Sequence, residues 1–401
     1  MRVLVADKFE KSGLDGLKAL GCEVFSEPDL NGESLAAAIS EKKPEILIVR
    51  STKVDASMLQ ESSLVLIIRA GAGYNTIDVA AASAQGIYVA NCPGKNSQAV
   101  AELAFGLILA VDRFIPDNVN DLRQGKWNKK AYSKAKGLYG STLGLIGMGQ
   151  IGQEMIPRAK AFGMNVIGYS RWMTPDVAAA LGIGQAHTIE ELAGQSDIVS
   201  VHVSLRPETK GILGKSFFEA MRPGATFVNT SRAEVVEQAA MLEALTSGKI
   251  RAGLDVFEGE PSGGEGTYDG PLKDMPGVYC THHIGASTEQ AQEAVAAETV
   301  RIVKEFRNTG HVPNVVNIAK GETATHLLVV RHRDRVGVLA TVLSCLKEDG
   351  ASVQEMENIV LGGAQAAIAQ ISIDKEPSPN CLTKVRTQPD VFSSNLVTLS
   401  R

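Results

Sequence analysis

Short apolar runs alternate with amphipathic stretches over the first hundred residues. Segments 11–20 and 33–42 have the periodicity of helices with one apolar face, and they lie among four runs that are apolar almost throughout, RVLVAD, CEVFS, EILIVR and LVLIIRAG. Strands that are apolar on both faces and alternate with helices are typical of a parallel sheet covered by helices on both sides. The pattern predicts an α/β domain in this part of the chain.

A second alternation of the same kind follows the long helix predicted for 97–113. Its predicted strands are STLGLIG, MNVIGYS, IVSVHVS, ATFVNTS, RAGLDVF and GVYCTHH. A further long helix is predicted for 289–308, and we expect it to return the chain to the first domain. The expected organisation is a discontinuous first domain formed by 1–95 and 287–318, interrupted by a second domain over 96–286.

The pattern changes from about Thr325 onward. The segment that begins HLLVV is predicted to form strand, helix, strand and strand, and with the residues after it fits the split βαβ arrangement of a small ferredoxin-like module. We therefore expect a separate C-terminal domain over 323–401. The predicted fold class is α/β, with two doubly wound parallel-sheet domains and a C-terminal ferredoxin-like domain.

The composition excludes some classes of binding partner. The 401 residues carry a formal net charge of −5, with 44% hydrophobic and 21% charged residues. This balance is that of a globular protein, and it lacks the basic excess that binding to nucleic acid or an anionic membrane requires. We expect small neutral or anionic metabolites as ligands.

The first residues and the cysteines favour a cytosolic protein. MRVLVADKFE is without the cationic and then apolar organisation of a signal peptide, and the longest apolar stretch, 99–111, is interrupted by Glu102. The five cysteines are scattered, without the spacing of a metal site or a disulfide framework. We expect reduced thiols, no bound metal, no membrane span and a cytoplasmic location.

A glycine-rich turn follows the predicted strand TLGLI. Gly147, Gly149 and Gly152 have the GxGxxG spacing and precede a predicted helix, which is the setting in which this motif binds a dinucleotide. The first glycine permits a tight turn, the second allows the backbone close to a pyrophosphate, and the third allows helix and strand to pack closely. The N-terminus of the helix would hold the pyrophosphate.

The second strand of this unit ends without the usual acid. A dinucleotide-binding protein commonly has Asp or Glu there, which accepts hydrogen bonds from the ribose 2′-hydroxyl. Ser170 and Arg171 occupy the place here, which removes the repulsion of a 2′-phosphate and adds a cation suited to it. We predict a nicotinamide cofactor, with NADP(H) favoured over NAD(H). In the alternative, Arg171 points to solvent and Ser170 tolerates either cofactor.

Three arginines come at the ends of predicted strands. Arg50 ends EILIVR, Arg69 ends LVLIIR, and Arg232 follows ATFVNTS. Ligands of open α/β sheets bind beyond the carboxyl ends of strands, and arginine binds carboxylate or phosphate through two parallel hydrogen bonds. The three residues predict a substrate with more than one anionic group. The alternative for Arg50 or Arg69 is a structural ion pair.

A hydride transfer from a secondary alcohol also needs a group that takes the hydroxyl proton. Histidine suits this role near neutral pH, and His282 and His283 lie where the predicted strand GVYC ends. A carboxylate beside the imidazole would hold its orientation, and Glu258 and Glu260 follow another strand end. Spacing alone does not choose between the two histidines or between the two glutamates.

Four motifs in a fixed order resemble the D-isomer-specific 2-hydroxyacid dehydrogenases. They are GLIGMGQIG, VNTSRA, GLDVFEGEP and THHIGAST, and with LIVRSTKV and IIRAGAGYNTID the resemblance covers about residues 1–318. It implies a two-domain enzyme, with a substrate-binding domain of 1–95 and 287–318 and a dinucleotide-binding domain of 96–286. Such an enzyme transfers a hydride between a nicotinamide cofactor and a small 2-hydroxy or 2-oxo acid. Within the family, the last two segments favour 3-phosphoglycerate as the hydroxy acid and 3-phosphohydroxypyruvate as the oxo acid.

The resemblance also implies roles for individual residues. His283 would be the acid/base, Glu260 its orienting partner, and Arg232 the group that binds the carboxylate and polarises the 2-oxo group. The implied cofactor-binding residues are Gly147, Gly149, Gln150, Ile151, Gly152, Ser170, Arg171, Thr230, Ser231 and Asp255. The implied substrate-binding residues are Arg50, Arg69, Gly71, Gly73, Asn96 and Arg232.

More specific positions follow from the same resemblance. Gly71 and Gly73 would present backbone N–H groups to the substrate carboxylate, whereas Arg50 and Arg69 would face its phosphate. Gln150 and Ile151 would contact the pyrophosphate. The nicotinamide end would lie against Thr230 and Asp255.

Three positions depart from the usual residues of the family. His282 stands where the family has proline, Ala233 where it has glycine, and Ser170 where NAD-using members have aspartate. The pair formed by Ser170 and Arg171 is similar to that of NADP-using hydroxypyruvate and glyoxylate reductases of the family. Such an NADPH-dependent reductase is the alternative function, and a non-catalytic cofactor-sensing protein is a third hypothesis.

The C-terminal segment resembles an ACT domain. This resemblance implies a module that pairs with its copy in another subunit and binds an amino-acid effector, so the expected assembly is a homodimer or homotetramer. His332 matches an effector-binding position, whereas Asp334 and Ser352 replace asparagines of the regulated enzymes. Trp127 lies in the segment that makes subunit contacts in the family resembled by residues 1–318.

Overall fold

A computed structural model describes residues 1–261, 265–319 and 323–399. The chain divides into two compact units, Met1–Asn317 and Ile318–Arg401. Two parallel sheets lie in the first unit and one antiparallel sheet lies in the second, which confirms the predicted fold class. In the described ranges, no helix combines the length and the apolar character needed to cross a membrane.

The first sheet has five parallel strands in the order β2-β1-β3-β4-β5. Its elements are β1 (Arg2–Val5), α1 (Lys11–Ala19), β2 (Glu23–Ser26), α2 (Gly32–Lys42), β3 (Ile46–Val49), α3 (Ala56–Leu59), β4 (Leu66–Arg69), α4 (Val79–Ala84) and β5 (Tyr88–Asn91). Strands β3 and β4 are buried on both faces, except for a partly exposed Arg69 at the end of β4. One face carries a core that includes Leu35 of α2, and the other a core that includes Leu17 of α1.

The second sheet has seven parallel strands in the order β12-β11-β10-β9-β6-β7-β8. Two helices precede it, α5 (Ser97–Arg113) and α6 (Ile115–Arg123). Its elements are β6 (Thr142–Ile146), α7 (Gln150–Ala161), β7 (Asn165–Tyr169), α8 (Pro175–Leu181), β8 (Gly184–Gln185), α9 (Ile189–Gln195), β9 (Ile198–Val201), a 3-10 turn (Pro207–Thr209), α10 (Lys215–Ala220), β10 (Ala225–Asn229), a second 3-10 turn (Ala233–Val235), α11 (Gln238–Thr246), β11 (Ile250–Leu254) and β12 (Val278–Cys280). From β6 the chain adds β7 and β8 on one side, and it then returns to add β9 on the other side of β6. Ligands of such sheets bind beyond the carboxyl ends of the strands at this change of order.

A long helix, α12 (Glu289–Thr309), returns the chain to the first sheet. Ile302 of α12 shares a buried core with Leu17 of α1. The helices approach closely because α1 has glycine at the crossing, where a Cβ on Gly16 would lie 3.0 Å from Val300. The boundaries expected at 95, 286 and 318 stay a prediction.

The second unit is a four-stranded antiparallel sheet in the order β14-β15-β13-β16. Its elements are β13 (His326–Arg333), α13 (Val338–Glu348), β14 (Val353–Val360), β15 (Ala366–Ile373), α14 (Pro379–Arg386) and β16 (Val391–Thr398). Both helices pack on one face, around a core that includes Leu328, Val342 and Val385. This is the expected split βαβ arrangement. Residues 400 and 401 of the predicted domain lie outside the described ranges.

His332, the implied effector contact, lies inside the second unit and is only 1% exposed. Its Nδ1 is 2.8 Å from the carbonyl oxygen of Arg333, and its Nε2 is 3.1 Å from Oδ1 of Asn358. Both ring nitrogens are therefore engaged within the unit. As the structure stands, the imidazole presents no free nitrogen to an effector.

Candidate active site

Loops from the carboxyl ends of the two parallel sheets meet in the first unit. Gly73 lies in the loop after β4, and Arg232 follows β10. A Cβ built on Gly73 would overlap Nη2 of Arg232, so the guanidinium rests directly against the glycine backbone. The structure thereby brings together predicted site residues from the two sheets.

His283 and Glu260 form a hydrogen-bonded pair at this edge. The distance from His283 Nδ1 to Glu260 Oε2 is 2.8 Å. The other carboxylate oxygen, Oε1, accepts the N–H of Phe257 at 2.8 Å. Because a carboxylate accepts, Nδ1 carries the proton and Nε2 is left for a ligand. The described residues show no equivalent pair for His282 or Glu258, so the geometry selects His283 and Glu260.

The loop that carries His283 is fixed by Asp255. This carboxylate is 1% exposed, and it accepts hydrogen bonds from Thr281 Oγ1 at 2.6 Å, Ile284 N at 2.9 Å and Gly285 N at 2.8 Å. The resemblance implies a nicotinamide contact for Asp255, whereas the structure shows both carboxylate oxygens engaged by the loop. Sequence reasoning missed this positioning role, although a lone acid directly after an apolar strand was a signal for it.

The backbone of His283 itself is unusual. Its φ of +52° lies in the left-handed region, which non-glycine residues seldom adopt. The hydrogen bonds of Asp255 begin at Thr281 and end at Gly285, so they flank His283 on both sides. The imidazole is thus held on a backbone whose conformation is set by its neighbours.

His202 is a further histidine at the carboxyl edge of the second sheet, directly after β9. Its Nε2 is 2.9 Å from the hydroxyl oxygen of Ser200, and its Nδ1 is buried with no hydrogen-bond partner among the described residues. Burial lowers the pKa of His202 to about 3. The ring is therefore neutral near pH 7 and enclosed, which leaves His283 as the histidine suited to proton transfer at this edge.

Arg50, Arg69 and Arg232 form a basic cluster. The arginine ion pairs in the described part of the chain involve Arg2, Arg158, Arg222, Arg301, Arg333 and Arg335. The three cluster residues thus have no carboxylate within 4.0 Å there, so the described residues supply no structural ion pair for Arg50 or Arg69.

The charges in this cluster act on one another. Burial, together with the neighbouring charges of Arg232 and Arg50, lowers the pKa of Arg69 to about 10. Burial also lowers the pKa of Arg232. The Nε of Arg69 is buried without a partner in the described residues. Concentrated positive charge with an unused donor is suited to a ligand that carries two anionic groups.

Gly71 is required by the side chain of Arg69. Its φ is +146°, and a Cβ there would overlap Nη1 of Arg69. The N–H of Gly71 donates to the carbonyl oxygen of Arg69 at 2.8 Å. That amide is therefore used within the loop, and does not have the free N–H that the resemblance implies.

The glycine-rich turn has the geometry that its motif predicts. Gly147 has φ +96° and lies against the carbonyl of His202, 2.6 Å from the place of a Cβ. A Cβ on Gly152 would overlap the carbonyl oxygen of Gly147. Gly149 precedes α7, and its Cβ would meet no atom within 4 Å. The open space at the helix N-terminus fits a dinucleotide pyrophosphate.

The remaining implied residues, in α7 and in the loop before α5, are close to this turn. Gln150 and Ile151 lie in the first turn of α7, and Asn96 directly precedes α5. The side-chain amide of Gln150 fills the space where a Cβ on Gly94 would lie. The loop before α5 therefore touches the helix that would hold the pyrophosphate.

Thr230 and Ser231 differ in the availability of their hydroxyl groups. The Oγ1 of Thr230 is buried with no partner among the described residues, which fits a polar contact from a bound cofactor. The Oγ of Ser231 instead donates to Oδ1 of Asn229 at 2.9 Å. Asn229 also donates from Nδ2 to the carbonyl oxygen of Arg232 at 3.0 Å. Sequence reasoning missed this asparagine, which fixes the loop that bears Arg232.

The turn after β7 has no acidic side chain. The carbonyl oxygen of Ser170 accepts the N–H of Met173 at 3.1 Å, while Arg171 is exposed. Arg171 also makes no ion pair in the ranges that the structure describes. Trp172 beside it is 50% exposed. The turn therefore offers an unpaired guanidinium next to the position where a ribose 2′-group would bind.

Residues 105–285 match the family described as D-isomer specific 2-hydroxyacid dehydrogenase, NAD binding domain. The chain is 40% identical over 321 residues to D-3-phosphoglycerate dehydrogenase of Methanocaldococcus jannaschii, an alignment that covers 79% of this chain and 60% of the relative. Curated relatives with that name at 36–40% identity are covered over 58–65% of their length. The chain therefore spans less than two thirds of these relatives.

Solved structures are similar to 79% of the chain. NAD⁺-bound 3-phosphoglycerate dehydrogenase of Entamoeba histolytica has 26% identity and a TM-score of 0.66, over 79% of this chain and 98% of its own. An acyclic imino acid reductase (Bsp5) in complex with NADPH and D-Arg has 29% identity and a TM-score of 0.69, over 79% of this chain and 100% of its own. These two neighbours hold different nicotinamide cofactors.

Proposed function

Because this chain belongs to the D-isomer-specific 2-hydroxyacid dehydrogenase family, we propose that it interconverts 3-phospho-D-glycerate and 3-phosphohydroxypyruvate. The observation that carries this proposal is the cluster of Arg50, Arg69 and Arg232, none of which has a carboxylate partner in the described residues. A carboxylate and a phosphate on one small substrate would neutralise such a cluster. The curated relatives named D-3-phosphoglycerate dehydrogenase support the same substrate.

The proposed chemistry divides between His283, Arg232 and a nicotinamide cofactor. With the cofactor pyrophosphate bound at the glycine-rich turn, the nicotinamide would supply the hydride acceptor or donor. In the oxidation, His283 takes the proton of the C2 hydroxyl at Nε2, and Glu260 stabilises the resulting imidazolium through Nδ1. Arg232 binds the substrate carboxylate and stabilises the negative charge that develops on the C2 oxygen. In the reduction, His283 returns the proton.

Initial rates with 3-phosphohydroxypyruvate and hydroxypyruvate test the substrate. We expect the phosphorylated acid to have the higher kcat/KM. The Arg50→Gln variant should lose about 10- to 100-fold in kcat/KM for it, because a charge-assisted hydrogen bond contributes about 1.5–3 kcal/mol, and little for hydroxypyruvate. Arg307→Gln, which removes an exposed charge near the end of α12, is the matched control.

Equal losses for both acids would show that Arg50 does not bind phosphate. Preference of the unmodified enzyme for hydroxypyruvate with NADPH would favour the alternative function, an NADPH-dependent hydroxypyruvate or glyoxylate reductase. The observation in favour of this second candidate is the turn with Ser170 and Arg171, which lacks an acid.

The acid/base role is tested by His283→Asn. Asparagine tolerates the left-handed backbone of this position, and it has no group that titrates near neutral pH. We expect kcat to fall by about 100- to 10,000-fold, with cofactor affinity in calorimetry unchanged. His282→Asn, at the exposed neighbouring position, should retain most of its activity. Substantial turnover by His283→Asn would reject the assignment.

We propose that NADP(H) is preferred over NAD(H). The support is the unpaired guanidinium of Arg171 beside Ser170, at a turn where an acid would repel a 2′-phosphate. The finding of NADPH in one structural neighbour and NAD⁺ in another is compatible with either cofactor in this fold.

Cofactor choice is measured as the ratio of kcat/KM for NADPH to that for NADH. Arg171→Ala should lower this ratio about tenfold, because it removes the proposed phosphate contact and leaves the ribose site intact. Ser170→Asp should lower it further through repulsion of the 2′-phosphate. An unchanged ratio in both variants would contradict the preference.

We propose a homodimer or homotetramer, and two exposed apolar surfaces support it. On α6, Ile115, Val119 and Leu122 share one face and are 46%, 42% and 53% exposed. On the second unit, every residue of the edge strand β14 is exposed, including Met356. Apolar patches and unpaired strand edges of this kind are commonly covered by another chain, here a second copy.

Sedimentation of single variants tests both surfaces. Leu122→Glu or Met356→Glu should each reduce the assembly, from tetramer to dimer or from dimer to monomer, because a buried unpaired carboxylate is costly at an interface. Ala80→Glu, which adds the same charge at an exposed position of α4, should leave the mass unchanged. A monomeric parent chain would refute the proposal.

We further propose a cytosolic location for the protein. The five cysteines are unpaired, as expected in a reducing compartment. A native disulfide would contradict that location.

We also propose a small amino acid as the effector class if the C-terminal unit is regulatory. The engaged ring of His332 favours assembly as the main role of this unit. Inhibition by L-serine would contradict this view.

A further inference from the structure

Asp7 is a buried carboxylate at the end of β1, and the mechanism above does not use it. It is 9% exposed. Its Oδ2 accepts the N–H of Arg50 at 2.6 Å, of Ser51 at 3.2 Å and of Thr52 at 3.1 Å. Its Oδ1 accepts the hydroxyl of Ser51 at 3.0 Å. One side chain from β1 therefore fixes the whole turn that follows β3.

Three consecutive N–H groups that point at one oxygen form a concave anion site. In this chain the site is filled by the Asp7 carboxylate, so the main chain of 50–52 is not available to a substrate anion. The side chain of Arg50 is the part of the turn that remains for binding. Its position depends on a backbone that Asp7 holds.

Asp7 also contributes charge to the basic cluster. Its carboxylate raises the pKa of Arg69, against the stronger lowering by burial, Arg232 and Arg50. The carboxylate forms no ion pair with these arginines, since its acceptor sites are directed at the turn. It thus holds one arginine in place and moderates the repulsion within the cluster without occupying the ligand-binding guanidinium groups.

We propose that Asp7 is a positioning residue for the substrate: it acts through Arg50 and sets the affinity for the distal anionic group of the acid. The inference rests on the proposed function. Asp7 does not touch the reacting atoms, so its loss changes KM more than kcat. Its effect also vanishes when Arg50 is already absent.

A double-mutant cycle tests this coupling. Asp7→Asn preserves the size of the side chain but removes the charge and one of the two acceptor oxygens. We expect it to raise KM for 3-phosphohydroxypyruvate about tenfold, with kcat within about twofold of the parent enzyme. Arg50→Gln should raise KM further, and the double variant should be no worse than Arg50→Gln alone.

The matched control is Asp197→Asn. Asp197 also accepts a backbone N–H, that of Thr142 at 2.9 Å, but it lies at the amino end of β9, away from the basic cluster. The Asp197→Asn variant should leave KM for 3-phosphohydroxypyruvate unchanged. Losses that add in the double variant would overturn the proposal, as would an unchanged KM or a fall confined to kcat.

The outcomes distinguish a wrong substrate from a wrong role for Asp7. If the parent enzyme prefers hydroxypyruvate, 3-phosphohydroxypyruvate is rejected as the natural substrate, and the cycle run with 3-phosphohydroxypyruvate still reports whether Asp7 acts through Arg50 on an acid that carries a distal anionic group. If Asp7→Asn does not fold, Asp7→Glu replaces it in the cycle. A carboxylate displaced by one methylene group should raise KM severalfold, and an unchanged KM would overturn the proposal.

Discussion

Two buried carboxylates at strand ends determine where the reactive side chains lie. Asp255 binds the loop around His283, and Asp7 binds the turn that begins with Arg50. Loops at the carboxyl edge of a parallel sheet expose backbone N–H groups that must find acceptors. A carboxylate supplies several acceptor sites at once, and each such bond contributes about 1.5–3 kcal/mol. The geometry of the site therefore depends on acids that need not contact a substrate.

This dependence explains which parts of the molecule could be predicted from the sequence. The strands β3 and β4 read as apolar runs because both of their faces are buried, and the glycine spacing at 147, 149 and 152 has a steric cause that the structure reproduces. Such features are local, because they depend on neighbouring residues or on a repeated pattern. These features can therefore be predicted without knowledge of tertiary contacts.

Hydrogen-bond partners between distant segments could not be predicted in this way. Asp255 was expected at the nicotinamide, yet its oxygens are engaged by residues 281–285. The N–H of Gly71 was expected to be free, yet it donates to Arg69. In each case the residue was located correctly at the edge of the sheet, while its partner was fixed by folding of a loop that has no periodic pattern. The same holds for Asn229, which the sequence did not single out.

The left-handed backbone of His283 has a consequence for how this chain can evolve. Most residues other than glycine, asparagine and aspartate lose about 1–2 kcal/mol in that conformation, and the hydrogen bonds of Asp255 stabilise the loop that adopts it. Residues that fit the backbone better would make the loop more stable and would remove the imidazole. With His283 as the proposed acid/base, selection for stability and selection for turnover are therefore opposed at this one position.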